Sequence, residues 1–356
     1  MVFAAILVIF GLVTKQPRRY WLFAGAAVVT HLAVALLLAG SGAVPAWLRR
    51  ATGPGLPSAF RALGALVFGW GVPIWLVVRG HEKRNVTRAT RALRRALAKQ
   101  LLGSHVSALI VESDNGRLAV GLEDYGVGWK LRRRGKYELD QIDTLKQYVT
   151  AKSRVLVVGA HVGSFVVPIS KGCKAIVAIE ADPDTYKLLT ANLLLNEVTN
   201  CRAINIAASD KQERIDFLID RANTGGNKRV PKTKHPMYYA ESSEVISVDA
   251  FALDDYLDDL VFDVILMDIE GSEYLALRGM KKILAQARVL VVEFLPHHLK
   301  NVSGVTVEEF LSVIPPRFRT LTIPSQKRTV DAGNFVAALK DLFTHDQADD
   351  IIFETA

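Results

Sequence analysis

The strongest constraint on the fold is the stretch VLVVGAHVGSF, from Val155 to Phe165. Val155 to Val158 are apolar and β-branched or aliphatic, which suits a strand buried on both faces. Gly159 and Gly163 then let the backbone turn tightly and come close to a ligand without Cβ interference. A strand emptying into a glycine turn occurs in many nucleotide-binding α/β chains and also in turns that bind nothing, so the next strand end decides. A second apolar strand, Ala175 to Ile179, ends at Glu180, about 20 residues past the turn, where an acid accepts hydrogen bonds from both ribose hydroxyls of an adenine nucleoside. A helix-capping role at this point suits Asp182 or Asp184 better than Glu180.

The same logic recurs further on. FDVILMDIEGSE, from Phe262 to Glu273, places an apolar strand, Val264 to Met267, before Asp268, Glu270 and Glu273 around Gly271. Open α/β sheets bind ligands in the crevice beyond such strand ends. Ala287 to Val292 reads as a last parallel strand ending at Glu293, with His297 and His298 just beyond. Between the first two strands and these, helical spacing predicts a helix over Asp184 to Asn196, and Cys201 to Ala207 reads as a third strand whose end, Ala208 to Asp210, flanks the adenine. Val245 to Val248 reads as a further short strand. A helix is expected near Thr306 to Val313, then a proline-broken linker and a final strand over Asp350 to Glu354. Repeated βα units predict an α/β, doubly wound, mostly parallel sheet. Ahead of it, SALIVES and RLAVG flank Asn115-Gly116, which predicts a small β-hairpin cap with a type I′ turn. Val127 to Lys136 reads as a solvated basic surface, and Tyr137 to Ala151 as a helix.

Composition separates a hydrophobic head from this body. Residues 20–47 are an almost unbroken apolar run, long enough for a helix to cross a hydrocarbon core of roughly 30 Å. Residues 60–78 are just long enough for a second span, and residues 1–13 fall short, as a partial span. The excess of 44 Lys and Arg over 36 Asp and Glu is local: Arg79 to Lys99 form a basic juxtamembrane collar, expected as a helix over 81–103, which argues against a nucleic-acid groove. Dense positive charge after the second span places the body, 104–356, on the cytoplasmic side of a multi-pass integral membrane protein. Cys173 and Cys201 lack metal-ligand spacing and suit reduced thiols. Asp249 to Asp259 read as solvated acids along a helical stretch. Asp268 and Glu293 alone define no oxygen cage, so no metal site is expected. Arg221 to Ser243 is a long basic insertion of the kind that closes over a site.

Taken together, the motifs resemble the FkbM-type methyltransferases, a branch of the class I S-adenosylmethionine-dependent, Rossmann-like fold. Val157-Val158-Gly159-Ala160-His161-Val162-Gly163 is similar to the family's D-V-G-A-N-x-G. Glu180-Ala181-Asp182-Pro183 stands for E-P-x-P, with Asn192 and Asn196 in the next helix. Leu266-Met267-Asp268-Ile269-Glu270-Gly271 stands for K-x-D-x-E-G, and Glu293-Phe294-Leu295-Pro296 for E-x-x-P. Val157 occupies the place of an acid that orients the cofactor's amino-acid end, His161 that of Asn, and Leu266 that of Lys. The resemblance spans roughly residues 105 to 300. It implies S-adenosylmethionine as cofactor, held by Gly159, His161, Gly163, Glu180, Ala181, Ala208 and Asp268. It further implies methyl transfer to an acceptor oxygen, with Asp268 and Glu270, and His297 in reserve, as catalytic residues. A membrane-held basic body then suggests a hydroxyl on a sugar or lipid-linked glycan as the acceptor. The alternative is a membrane-anchored binding protein that keeps the fold without the chemistry.

Overall fold

The structure, a computed structural model, describes residues 100–103, 105–235, 237–239 and 243–355. The expected spans 20–47 and 60–78, the partial span 1–13 and nearly all of the 81–103 helix lie outside the described residues. Among those described, no helix is long and apolar enough to cross a membrane.

The body from His105 onward is one compact unit. In chain order its elements are β1 (Ala108–Ser113), β2 (Gly116–Gly121), α1 (Val127–Arg134), α2 (Leu139–Lys146), β3 (Arg154–Val158), α3 (Val166–Ser170), β4 (Ala175–Ile179), α4 (Pro183–Leu195), β5 (Cys201–Ile204) and β6 (Ala207–Ala208). Next come β7 (Glu213–Asp220), β8 (Lys228–Arg229), β9 (Ser243–Phe251), α5 (Leu253–Tyr256), β10 (Val264–Met267), α6 (Glu273–Arg278), α7 (Lys281–Leu284) and β11 (Val289–Phe294). The chain closes with α8 (Pro296–His298), α9 (Val307–Ser312), β12 (Phe318–Ile323), β13 (Arg328–Asp331), α10 (Phe335–Thr344) and β14 (Asp349–Thr355).

Eight strands form the central sheet in the order β13-β12-β14-β11-β10-β3-β4-β5. The five from β11 to β5 run parallel, while β14, β12 and β13 are antiparallel, so the sheet is mixed. The chain builds outward from β3 through β4 to β5, then returns to lay β10 on the other side of β3. Such a reversal leaves a crevice beyond the carboxyl ends of β3 and β10. Alternation explains the apolar runs: Leu156, Val158, Ile265 and Met267 enter one buried cluster with α6, α7 and α10, and Val155, Val157, Val264 and Leu266 enter the other with Leu145, Ile169 and Leu189.

A second sheet, β6-β9-β7-β8, departs from expectation. The strand expected over Val245 to Val248 is the nine-residue β9, paired antiparallel with β7 from Glu213↔Ala250 to Asp220↔Ser243. The strand expected from Cys201 to Ala207 breaks into β5 and β6, which belong to different sheets. The helical stretch expected over Asp249 to Asp259 is only α5, because Asp249 pairs within β9. Val127 to Lys136 is not a plain solvated surface: α1 buries Val127 and Leu131. The segment expected as a proline-broken linker instead holds β12, β13 and α10, and Phe335, Ala338, Leu339 and Leu342 form the buried face of that helix.

The hairpin is present, but Ser113 pairs with Gly116, so the turn residues are Asp114 and Asn115. Positive φ begins only at Gly116 (118°), which rules out type I′. Asn115 instead turns inward. Its amide donates to the carbonyls of Tyr137 (2.8 Å) and Ser164 (3.0 Å), and its oxygen accepts from Tyr137 N (2.8 Å). From the other side, Asn192 of α4 accepts from Ala119 N (2.6 Å) and donates to Ala119 O (3.0 Å) and Val162 O (2.8 Å). The cap is thereby fastened to the glycine turn.

Candidate active site

Beyond β3 the backbone takes left-handed φ at Gly159 (89°), His161 (49°) and Gly163 (89°). A Cβ on Gly159 would lie 1.8 Å from the Asp268 carbonyl oxygen, so only glycine lets the first loop lie against the loop after β10. The Glu180 carboxylate holds the turn: Oε2 accepts from His161 N (2.8 Å) and Oε1 from Asp182 N (2.8 Å). Each oxygen keeps a second lone pair. Burial pushes the Glu180 carboxyl up to about 7. Asp182 caps α4, through Asp184 N and the Thr185 hydroxyl, as expected for this position.

These loops form one wall of a cleft enclosing about 840 Å³, counted out to its open mouth. Gly159, His161, Glu180, Ala181, Ala208, Asp268 and Glu270 line it. Gly163 and His297 do not. Gly163 shapes the turn, donating to Ala160 O (2.9 Å), and a Cβ there would press on Leu189. His297 packs on the Tyr238 ring at 5.0 Å and contacts the Met237 sulfur. The next residue, His298, is the one brought to the acids.

The long insertion supplies the opposite wall. Thr224 donates to Asp124 (3.0 Å) and so accepts from Nε2 of His161 (2.7 Å). That assigns the His161 proton to Nε2 and leaves the buried Nδ1 without a partner. Burial lowers the His161 pKa, keeping the ring neutral. Asn227 donates to Asp182 (3.1 Å). Lys228 comes next, placed opposite Leu218 by the β7–β8 pairing and buried at 6% exposure. Its Nζ lies 3.0 Å from Glu270 Oε2 and 3.3 Å from His298 Nε2. Lysine only donates, so the neutral His298 carries its proton on Nδ1, 3.1 Å from the same Glu270 oxygen. That contact is too bent for a full hydrogen bond. Burial, then Lys228 and His297, bring the His298 pKa down to about 2.

The floor is acidic. Asp268 ends β10, Glu270 sits two residues on with φ 56°, and Glu293 lies in the adjacent β11. One carboxylate oxygen from each lies within 4.8 Å of the others. Burial first, then Glu270, raises the Asp268 carboxyl to about 8, and burial and Asp268 raise Glu293 well above the usual range. Glu273 stands apart: it accepts from Ile269 N and Gly271 N (3.1 Å each) and clamps the loop from below. Tyr137 faces the same acids, and burial together with Asp268 pushes its hydroxyl up.

Residues 158–316 match the family model described as the methyltransferase FkbM domain. The match covers somewhat under half of the chain. It includes both glycine-bearing loops and all three floor acids, while the hairpin and β12–β14 lie outside it. No curated protein matches the sequence. Among solved structures, the methyltransferase FkbM of Methylobacillus flagellatus overlays with 18% identity and a TM-score of 0.35, covering 58% of this chain and 44% of that one. Trm5b of Pyrococcus abyssi overlays with 11% identity and a TM-score of 0.36, covering 71% and 56%. SMU.1697c of Streptococcus mutans, solved in complex with SAH, overlays with 11% identity and a TM-score of 0.36, covering 62% and 99%. This chain thus spans about half the length of the first two, and its likeness to the FkbM family rests on the domain match.

Two departures from the FkbM pattern meet in the sheet. Val157 and Leu266 replace an acid and a lysine, and in the β3–β10 register they are partners. Both are buried on the same face, at 1% and 5% exposure, and neither lines the cleft. Here the two positions form an apolar pair inside the buried face of the sheet.

Proposed function

We propose that this chain is an S-adenosylmethionine-dependent O-methyltransferase acting on a hydroxyl of a sugar or lipid-linked glycan at the cytoplasmic face of a membrane. The observation that carries the reading is the cleft between Glu180 and the Asp268–Glu270 loop, inside the stretch that matches the FkbM methyltransferase domain. Glu180 suits the ribose hydroxyls, Ala181 and Ala208 the adenine, and the His161 loop the amino-acid end. S-adenosylmethionine, when bound, supplies the methyl group by in-line displacement from its sulfonium. The chain's own residues then align the acceptor and take its proton. Alignment in such a cleft contributes several kcal/mol. Glu270, its Oε2 held by Lys228, lines the cleft where a carboxylate can take the proton of an acceptor hydroxyl. Val157 and Leu266 lie outside the cleft lining, so the cleft keeps its acids despite both departures, which favours the enzyme over a binding protein without chemistry. The apolar runs at 20–47 and 60–78 support a membrane-held body.

The test is radiolabelled methyl transfer to total membranes by wild type and by Glu180→Ala. Label is expected in the organic-soluble fraction, with the variant retaining a few per cent of activity or less. Label confined to water-soluble small molecules or protein sinks the lipid acceptor. An unimpaired variant sinks the cofactor placement.

A further inference from the structure

Asp268 and Glu293 extend from neighbouring parallel strands, one step beyond the Met267↔Val292 register pair. Like charges side by side in a sheet are destabilising. Glu270 converges on them, so that one oxygen from each carboxylate lies within 4.8 Å of the others. The chain supplies a cation to this cluster, Lys228, but Nζ meets Glu270 Oε2 at 3.0 Å, and it meets neither of the other two carboxylates. An independent feature marks the gap: Oε2 of Glu293 is buried and receives no hydrogen bond. A buried carboxylate oxygen without a donor requires a shared proton or a positive charge.

We propose that Asp268, Glu270 and Glu293 form a binding site for a divalent, oxygen-preferring cation of the Mg²⁺ class. Three carboxylate ligands from a rigid strand pair and its loop match the oxygen-rich, partly hydrated coordination such ions take. Lys228 contacts Oε2 of Glu270 at 3.0 Å, a resident cation that competes with a bound ion for that carboxylate. Asp268 and Glu270 line the cleft, so an ion they hold would be reachable by water and by an acceptor oxygen, whose hydroxyl pKa it would lower. That role, though not the binding itself, rests on the methyltransferase reading. The expectation of no metal site considered Asp268 and Glu293 as a pair; the left-handed turn at Glu270 adds the third ligand.

The experiment uses the purified full chain in detergent, without S-adenosylmethionine, titrated with Mn²⁺ and read by the electron paramagnetic resonance signal of the free ion. One Mn²⁺ per chain is expected, displaced by Mg²⁺. Asp268→Asn and Glu293→Gln should each weaken binding about tenfold or more, with circular dichroism confirming the fold. Lys228→Met, which removes a competing cation, should bind at least as tightly as wild type. Free Mn²⁺ throughout up to about 1 mM, or wild-type affinity in both carboxamide variants, overturns the site. In that case a shared proton joins the two acids. Calorimetry with S-adenosylmethionine on the same preparation separates the two readings. Cofactor binding without Mn²⁺ binding overturns the cation site alone, and Mn²⁺ binding without cofactor binding overturns the methyl-donor reading alone.

Discussion

The pairing of Val157 with Leu266 makes a sharp prediction about the sheet. Val157→Asp places a carboxylate in a position 1% exposed, and Leu266→Lys an ammonium at 5%. Alone, each leaves an uncompensated buried charge, which costs roughly 3–5 kcal/mol. Together they face one another in the β3–β10 register, the arrangement that the family pattern suggests, so that mutual attraction offsets much of the desolvation. The double variant should cost about 2 kcal/mol or less, giving a coupling energy of at least roughly 3 kcal/mol. At roughly 2–4 °C per kcal/mol for a body of this size, each single variant should lower Tm by about 10 °C and the double by only a few degrees. Thermal unfolding followed by circular dichroism reads all four corners of the cycle. Additive losses in the double variant would refute the argument that the two departures compensate each other.

Three further outcomes concern the site and its clamp. Glu180 and Glu273 at about 7, Asp268 at about 8 and Asp350 at about 6 are all raised by burial. A raised acid stabilises the fold while protonated, so this contribution is complete below the ordinary carboxyl range and is lost as pH climbs through 6 to 8. Tm of the ligand-free chain should therefore fall by several degrees between about pH 5.5 and pH 8, and a rise over that range would contradict it. Lys228→Met releases Glu270 and His298, and methyl transfer should drop about tenfold or more while S-adenosylmethionine affinity changes by less than about threefold; calorimetry and initial rates separate the two. Asn192→Ala removes three buried hydrogen bonds between α4, the hairpin and the glycine turn, at roughly 1 kcal/mol each. Peptides over Ala108–Gly121 should then exchange amide hydrogens about 100-fold faster, and unchanged exchange would dismiss the clamp.

Much of the cleft was legible in the sequence because its key positions are local. Gly159, Glu180 and Asp268 each end an apolar strand, and the end of a buried parallel strand is the place where a chain can offer a polar group to a ligand. The alternation in Glu213–Asp220 and Ser243–Phe251 was an available signal for the second sheet, with Ile215, Phe217 and Ile219 buried against Val248 and Ala250. The Phe335, Ala338, Leu339 and Leu342 spacing was an equally available signal for α10.

Other features needed the tertiary structure, because they depend on which distant residues become neighbours. The choice of His298 over His297 is set by the turn after β11: both rings pack on Tyr238, but only His298 is brought to Glu270. Lys228 reaches Glu270 only through the β7–β8 pairing, across 42 residues of chain. The sequence alone determined a glycine turn, an acid at the end of the second strand and an acidic end to β10, since period and strand length dictate these within a few residues. Only the sheet register decided that Val157 meets Leu266 and that Glu293 joins Asp268 and Glu270, because register is fixed by the packing of both faces at once and not by any single strand.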